Sequence, residues 1–386
     1  MHIGTIARTG APVILVLVAA ACSSLQIDRA ITPSPDDWEM LGGSPARRNE
    51  TAVDVPIPLV TGWIYDPNAG VSAQMLQRDS VLFVATLKGE LHAVSVPDGK
   101  KIGVVSLGAP VVGTPTLSDD RIVVPLSRET ESVLLLDLRT GHREWSADVG
   151  PVETAPLVRG NRVYVTTLLG TAVCLDIADG AELWKFRTRP GKDRRSIRSS
   201  PAADSVRMYF GCDDGWLYAV DLRSGQLAWK QNVGSAVFGP PLLCGSTVVV
   251  GGLSGTVSAV RADSGIIRWR MDLGARLYNA PATDGLRIVV GAADGRLVAI
   301  DPARGSVEWT FASSDGVSCT PLIADSTVIF GTLDKTLHVL SLRSGRELWS
   351  WKGEGRMRVS PLAGRGRLYV CGDDRTVTLL TGSALQ

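Results

Sequence analysis

Val206-Arg-Met-Tyr-Phe-Gly-Cys-Asp-Asp-Gly-Trp-Leu-Tyr-Ala-Val-Asp-Leu-Arg-Ser-Gly-Gln-Leu-Ala-Trp229 contains two alternating apolar runs and two glycine turns, and ends on a tryptophan. Alternation with period two is the signature of half-buried strands. Asp214-Gly215 supplies the positive φ that a tight hairpin needs. The same frame returns as Ile288…Asp294-Gly295…Asp301…Gly305…Trp309, and as Val328…Leu337…Ser344-Gly345…Trp349. A unit of about 40 residues thus recurs from Val81 to the C-terminus, the length of one propeller blade.

Each copy reads as four short strands. A Pro-containing strand comes first, as in Thr154-Ala-Pro156, Ser200-Pro201 and Thr320-Pro321. A β-branched run, a tight turn, an alternating strand, a second glycine turn and the Trp strand follow. The glycines after the third strand are Gly99, Gly141, Gly180, Gly225, Gly265, Gly305, Gly345 and Gly382, which counts eight copies. Trp145, Trp184, Trp229, Trp269, Trp309 and Trp349 each stand four residues after the turn glycine, whereas the first copy has Gly103 there. The last copy ends before a Trp strand, and Val60-Thr-Gly-Trp-Ile-Tyr65 stands alone ahead of the first. The fold expected is therefore all-β: an eight-bladed β-propeller of four-stranded blades, closed by an N-terminal strand around Trp63. Closure of this kind removes open sheet edges.

The pattern Ala219-Val-Asp221…Ser224-Gly225…Trp229 resembles the tryptophan-docking motif of the PQQ-like (quinoprotein-type) propeller family. The lead-in Asp37-Trp38-Glu-Met-Leu-Gly-Gly-Ser-Pro-Ala-Arg-Arg-Asn49 is similar to that family as well. The resemblance covers residues 37–386.

Ahead of it, Arg8, the apolar run Val13-Ile-Leu-Val-Leu-Val18 and Ala19-Ala-Ala21-Cys22 follow the order of a secretory signal. Ala-Ala-Ala-Cys resembles the bacterial lipobox, with Ala19 where Leu is usual. This implies cleavage before Cys22, acylation such as palmitate on it, and a lipid anchor. Ser23 and Ser24 after the Cys suggest, by the same resemblance, the outer membrane with the protein facing the periplasm. The organisation expected is a signal peptide over 1–21, a lipidated tether over 22–36 and the propeller over 37–386.

The chain has 40 basic and 39 acidic residues, and removing 1–21 deletes only Arg8, leaving 39 against 39. No basic excess points to nucleic acid. Cys174, Cys212, Cys244, Cys319 and Cys371 lie in apolar, strand-like stretches and read as small buried hydrophobes, with pairing of two of them left open.

Asp137, Asp176, Asp221 and Asp301 share one blade position, which fits a local turn cap better than catalysis. The four histidines do not cluster. Quinoprotein alcohol dehydrogenases carry an adjacent Cys-Cys pair, Ca²⁺ ligands and an Asp base. This sequence has no Cys-Cys dipeptide, and no nucleophile elbow or metalloprotease motif. No catalytic, metal or cofactor residue is expected.

An anchored propeller of this length is similar to the BamB-like lipoproteins of outer-membrane β-barrel assembly. That implies a BamA-like partner, with membrane contact through the lipid only and a monomer within a complex. The interval between Trp184 and Trp229 is 45 residues, against 40 for the next three. The added residues lie in the stretch 187–198, where Ser196-Ile-Arg198 resembles a Ser-Leu-Arg contact stretch of that family. Arg194, Arg195, Ile197 and Arg198, with an exposed Ile197, are expected beside Asp213 and Asp214 as a partner-binding face. The irregular loop Leu126-Ser-Arg-Glu-Thr-Glu-Ser132 should open on the same face. Two alternatives remain: an envelope propeller for another protein or a polysaccharide, and a quinoprotein dehydrogenase.

Overall fold

The computed structural model describes residues 24–28, 30–188 and 195–382. Cys22 and Arg194 lie outside the described residues. Eight antiparallel meanders form the ring, each running from an inner to an outer strand. Blade 1 spans 76–106, blade 2 116–147, blade 3 157–187, blade 4 202–232, blade 5 242–272, blade 6 282–312 and blade 7 322–352.

Blade 4 shows why this sequence makes this unit. Its strands are Ala202–Ala203, Arg207–Gly211, Trp216–Asp221 and Leu227–Asn232. The second and third are buried almost throughout, because neighbouring blades cover both faces of the sheet. The outer strand alternates exposed and half-buried, since its free edge meets water. Asp221 Oδ1 accepts from the Ser224 amide at 2.8 Å, and Asp301 does the same for Arg304 at 2.8 Å, so this carboxylate series caps turns.

A bulge opposite the tryptophan re-aims its ring toward the next blade. In blade 4 the register shifts between Ala219 and Val220, beside the Ala219–Trp229 pair, and blades 3, 5, 6 and 7 repeat the shift. Each ring then covers the turn glycine of the following blade. A Cβ on Gly225, Gly265, Gly305 or Gly345 would stand 2.5–2.6 Å from Trp184, Trp229, Trp269 or Trp309. The indole Nε1 of Trp229 donates to the Ala262 carbonyl at 2.9 Å, and Trp269 and Trp309 bond equivalently. Each of these half-buried indoles stabilises its seam through the apolar area it covers, on the order of 25 cal/mol per Å².

The ring closes as the sequence implies. Leu59–Tyr65 pairs with Val377–Gly382 as the outermost strand of blade 8, and Trp63 covers Gly99 of blade 1. One detail differs from the sequence reading: Gly382 pairs with Leu59 inside the third strand and is not a turn glycine. The eighth copy was thus counted correctly on a residue of a different position.

The seam between blades 1 and 2 has no tryptophan, and the N-terminal segment fills it. Ser24 bridges Val104, Leu25 is fully buried, and the Leu25 and Ile27 amides donate to Thr140 and Arg139 carbonyls, both at 3.0 Å. A Cβ on Gly103 would fall 2.2 Å from the Leu25 carbonyl oxygen, so only glycine admits this chain. Within the stretch expected as a tether, Ser24, Leu25 and Ile27 are therefore seated on the ring, and Ile31 is buried as well.

Residues 37–51 then pass under the inner strands. Trp38 pairs with Gln77, and Leu117, Ala203, Leu243, Thr283 and Ile323 donate to the carbonyls of Glu39, Pro45, Ala46, Arg48 and Asn49. This segment gives hydrogen-bond partners to inner strands that have no fifth strand of their own. Arg47, fully buried, donates to the Pro201 carbonyl at 2.9 Å and the Pro156 carbonyl at 3.2 Å. Burial lowers its pKa to about 9, which leaves it charged at neutral pH.

Candidate loop-face interaction site

The inter-blade connections and the turns between second and third strands emerge on one face, opposite residues 37–51. A repeated bond couples them. Leu87, Ser127, Leu168, Asp213, Leu253, Ala293, Leu333 and Asp373 each donate an amide to a connection carbonyl, those of Gly70, Pro110, Pro151, Ser196, Ala236, Arg276, Gly316 and Arg356. This bond brings Arg195, Ile197, Arg198, Asp213 and Asp214 together, as the spacing implied. The Leu126–Ser132 loop opens on the same face at blade 2, with Ser127 donating to Glu153 at 2.7 Å.

Ile197 corrects the sequence reading. It is fully buried rather than exposed. Its column in the repeat holds Val111, Val152, Val237, Leu277, Val317 and Met357, all buried. These side chains wedge between neighbouring blades: a Cβ on Gly211, Gly291 or Gly331 would meet Val237, Val317 or Met357 within 2.5 Å. The recurrence of an apolar residue in that column was the missed signal. Its meaning is structural.

The outward column is one residue later, three ahead of the inner-strand proline. It carries Val112, Glu153, Arg198, Phe238, Tyr278, Ser318 and Arg358. Arg198 lies over the Phe238 ring at 5.1 Å from its centroid and pairs with Asp213 at 3.2 Å. A guanidinium on an aromatic face is held by the ring quadrupole while its edge remains free for a carboxylate. Tyr278, 44% exposed, continues the apolar arc. It helps line a cavity of about 350 Å³ with Val317, Leu333 and Arg358. Phe238 and Tyr278 were not singled out from sequence. Aligning the seven copies that carry the inner-strand proline shows them as the two aromatic residues of this column.

The electrostatics are mixed. Burial raises the Asp213 carboxyl above its ordinary value; Arg198 opposes this, Asp214 adds to it, and Arg195 opposes it. Asp213 Oδ1 is buried without a hydrogen-bond partner. Tyr218 donates to Asp214 at 2.7 Å. Across the face, Arg128 and Arg143 hold Glu131 at 2.9 and 2.6 Å. Alternating charge around aromatic side chains suits a protein surface better than a deep small-molecule pocket.

A family model described as outer membrane protein assembly factor BamB (PQQ_2) matches residues 60–151, 126–239 and 213–352. The chain belongs to this PQQ-like propeller family. Among curated relatives, the outer membrane protein assembly factor BamB of Vibrio cholerae is 31% identical over 117 residues, 28% of this chain and 30% of that protein. The lanthanide-dependent methanol dehydrogenase of Methylacidiphilum fumariolicum is 28% identical over 74 residues, 19% of this chain and 11% of that one. These matches span less than a third of either relative. BamB from Moraxella catarrhalis superposes with a TM-score of 0.72 at 19% identity, covering 84% of this chain and all of that one. A quinohemoprotein alcohol dehydrogenase from Comamonas testosteroni gives 0.77 at 14% identity, over 92% and 81%. At these identities the superpositions establish the fold.

The dehydrogenase relatives raise the question of a quinone and its calcium ion. The inner carbonyls of Pro156, Pro201, Pro281 and Pro361 are engaged by Arg47, Asn49 and Gln74. Among the described residues, no three His, Cys, Asp or Glu side chains gather as metal ligands. With no Cys-Cys dipeptide either, the residues present do not fit that centre.

Proposed function

We propose that this chain is a periplasm-facing scaffold of the outer membrane, acylated at Cys22, that binds partner proteins during assembly of outer-membrane β-barrels. It works by binding rather than catalysis, and docks a BamA-like protein through its loop face. Its organisation is a signal peptide over 1–21, an anchored segment from Cys22 and the propeller from 37.

The observation that carries the docking face is the Arg198–Phe238–Asp213 arrangement. An aromatic anchor and a partly desolvated arginine side by side are what interface hot spots are made of. Arg195 adds a basic residue beside them, and Arg194 is assigned with it to the proposed docking face. The family match supports the assembly role.

Affinity capture from detergent-solubilised envelopes tests both parts, with wild type compared with Phe238→Ala/Arg198→Glu. Recovery of a BamA-like barrel protein with wild type, lost in the double variant, is the expected result. Equal recovery with both keeps the role and moves the face. Absence of any barrel protein from both sinks the assembly reading.

A further inference from the structure

We infer that the lipid anchor is a short rigid mount, which sets the propeller on the bilayer by the outer rim of blades 1 and 2. This rests on the proposed acylation of Cys22. The Trp docking repeat fails at the seam between blades 1 and 2. Every described turn glycine of the Trp-docked seams has an indole against it, but Gly141 has Leu25 and Val105 instead. Leu25 is fully buried there, held by the main-chain bonds of Leu25 and Ile27 and by the Ser24–Val104 bridge. Arg139 adds bonds to the Ile27 and Asp28 carbonyls, both at 3.4 Å.

Fixing Ser24 leaves little slack. The steps from Ser24 back to Cys22 span at most about 7 Å of extended chain. Acyl chains on Cys22 must enter the hydrocarbon, so the bilayer surface has to approach Ser24 to within that reach. A tether that began to be ordered only at the propeller body, near residue 37, would let the ring tumble. One seated at residue 24 does not. The partner of this rim is therefore a lipid surface, and the exposed Gln26 lies against it. Thr310, at the equivalent position to Val104 but on the outer strand of blade 6, is across the ring and away from lipid.

The test uses full-length protein purified from envelopes and reconstituted into vesicles containing headgroup spin-labelled lipid. Fluorophores are attached at Gln26→Cys or Thr310→Cys in a Cys244→Ser background, because Cys244 is the partly exposed thiol. The expected result is loss of most fluorescence at position 26 and none at 310. Inserting eight Gly/Ser residues between Ser23 and Ser24 should abolish the difference. Equal quenching at both sites in the uninserted protein overturns the mount. Intact mass is read on the same samples. Acyl mass with equal quenching removes the mount alone, whereas absence of acyl mass removes the anchor and the mount together.

Discussion

Trp63 lies so close over Gly99 that a Cβ on the glycine would stand 2.6 Å from the indole, whose Nε1 donates to the Val96 carbonyl at 2.9 Å. One residue from the N-terminal strand thereby locks the blade that the C-terminus completes onto blade 1. Trp63 is half-buried, so Trp63→Ala should cost about 3 kcal/mol, the lower end of what losing a large core ring costs. Gly99→Ala should also destabilise, since φ at 99 is +68° and the ring would have to move. Denaturant unfolding checks both. Stabilities equal to wild type would mean that the seam carries no closure energy.

Ile197 and Phe238 should respond oppositely. Ile197→Ala opens a void between blades and should lower stability by about 2–5 kcal/mol, yet folded protein should still capture its partner. Phe238→Ala should leave unfolding almost unchanged and weaken capture by about tenfold or more. Parallel unfolding and quantitative capture separate the two roles.

Asp213 should leave a signature in acid. Burial raises its native pKa, so over that window the native state holds a proton that the unfolded chain has lost. Its contribution to stability then falls as pH rises from the ordinary aspartate range to the raised native value, and stays level above it. Asp213→Asn lacks this slope. Urea unfolding from acid to neutral pH should show the difference between variant and wild type growing through the window and then levelling. A difference independent of pH would contradict the assignment.

The thiols should divide by burial. Cys174, Cys212, Cys319 and Cys371 are buried and free, and desolvation pushes each up to about 12. Thiolate is the reactive form, so these four should resist iodoacetamide until the protein unfolds, while Cys244 is modified first. Peptide mass spectrometry before and after denaturation reads the order.

The sequence by itself determined the repeat, the eight blades, the four strands in each and the closing role of Trp63. Those features follow from local periodicity and turn chemistry, which every copy states again. It also placed Arg195 and Arg198 beside Asp213 and Asp214, because the blade frame fixes which loops share a face. Only the tertiary structure decided that Ile197 is a wedge, that Phe238 is the aromatic under Arg198, and that Leu25 fills the socket left by Gly103. Each of these is a contact between neighbouring blades, or between the ring and a segment outside the repeat. Such contacts depend on which side chains meet across a seam, and that is set by closure of the ring rather than by any spacing along the chain.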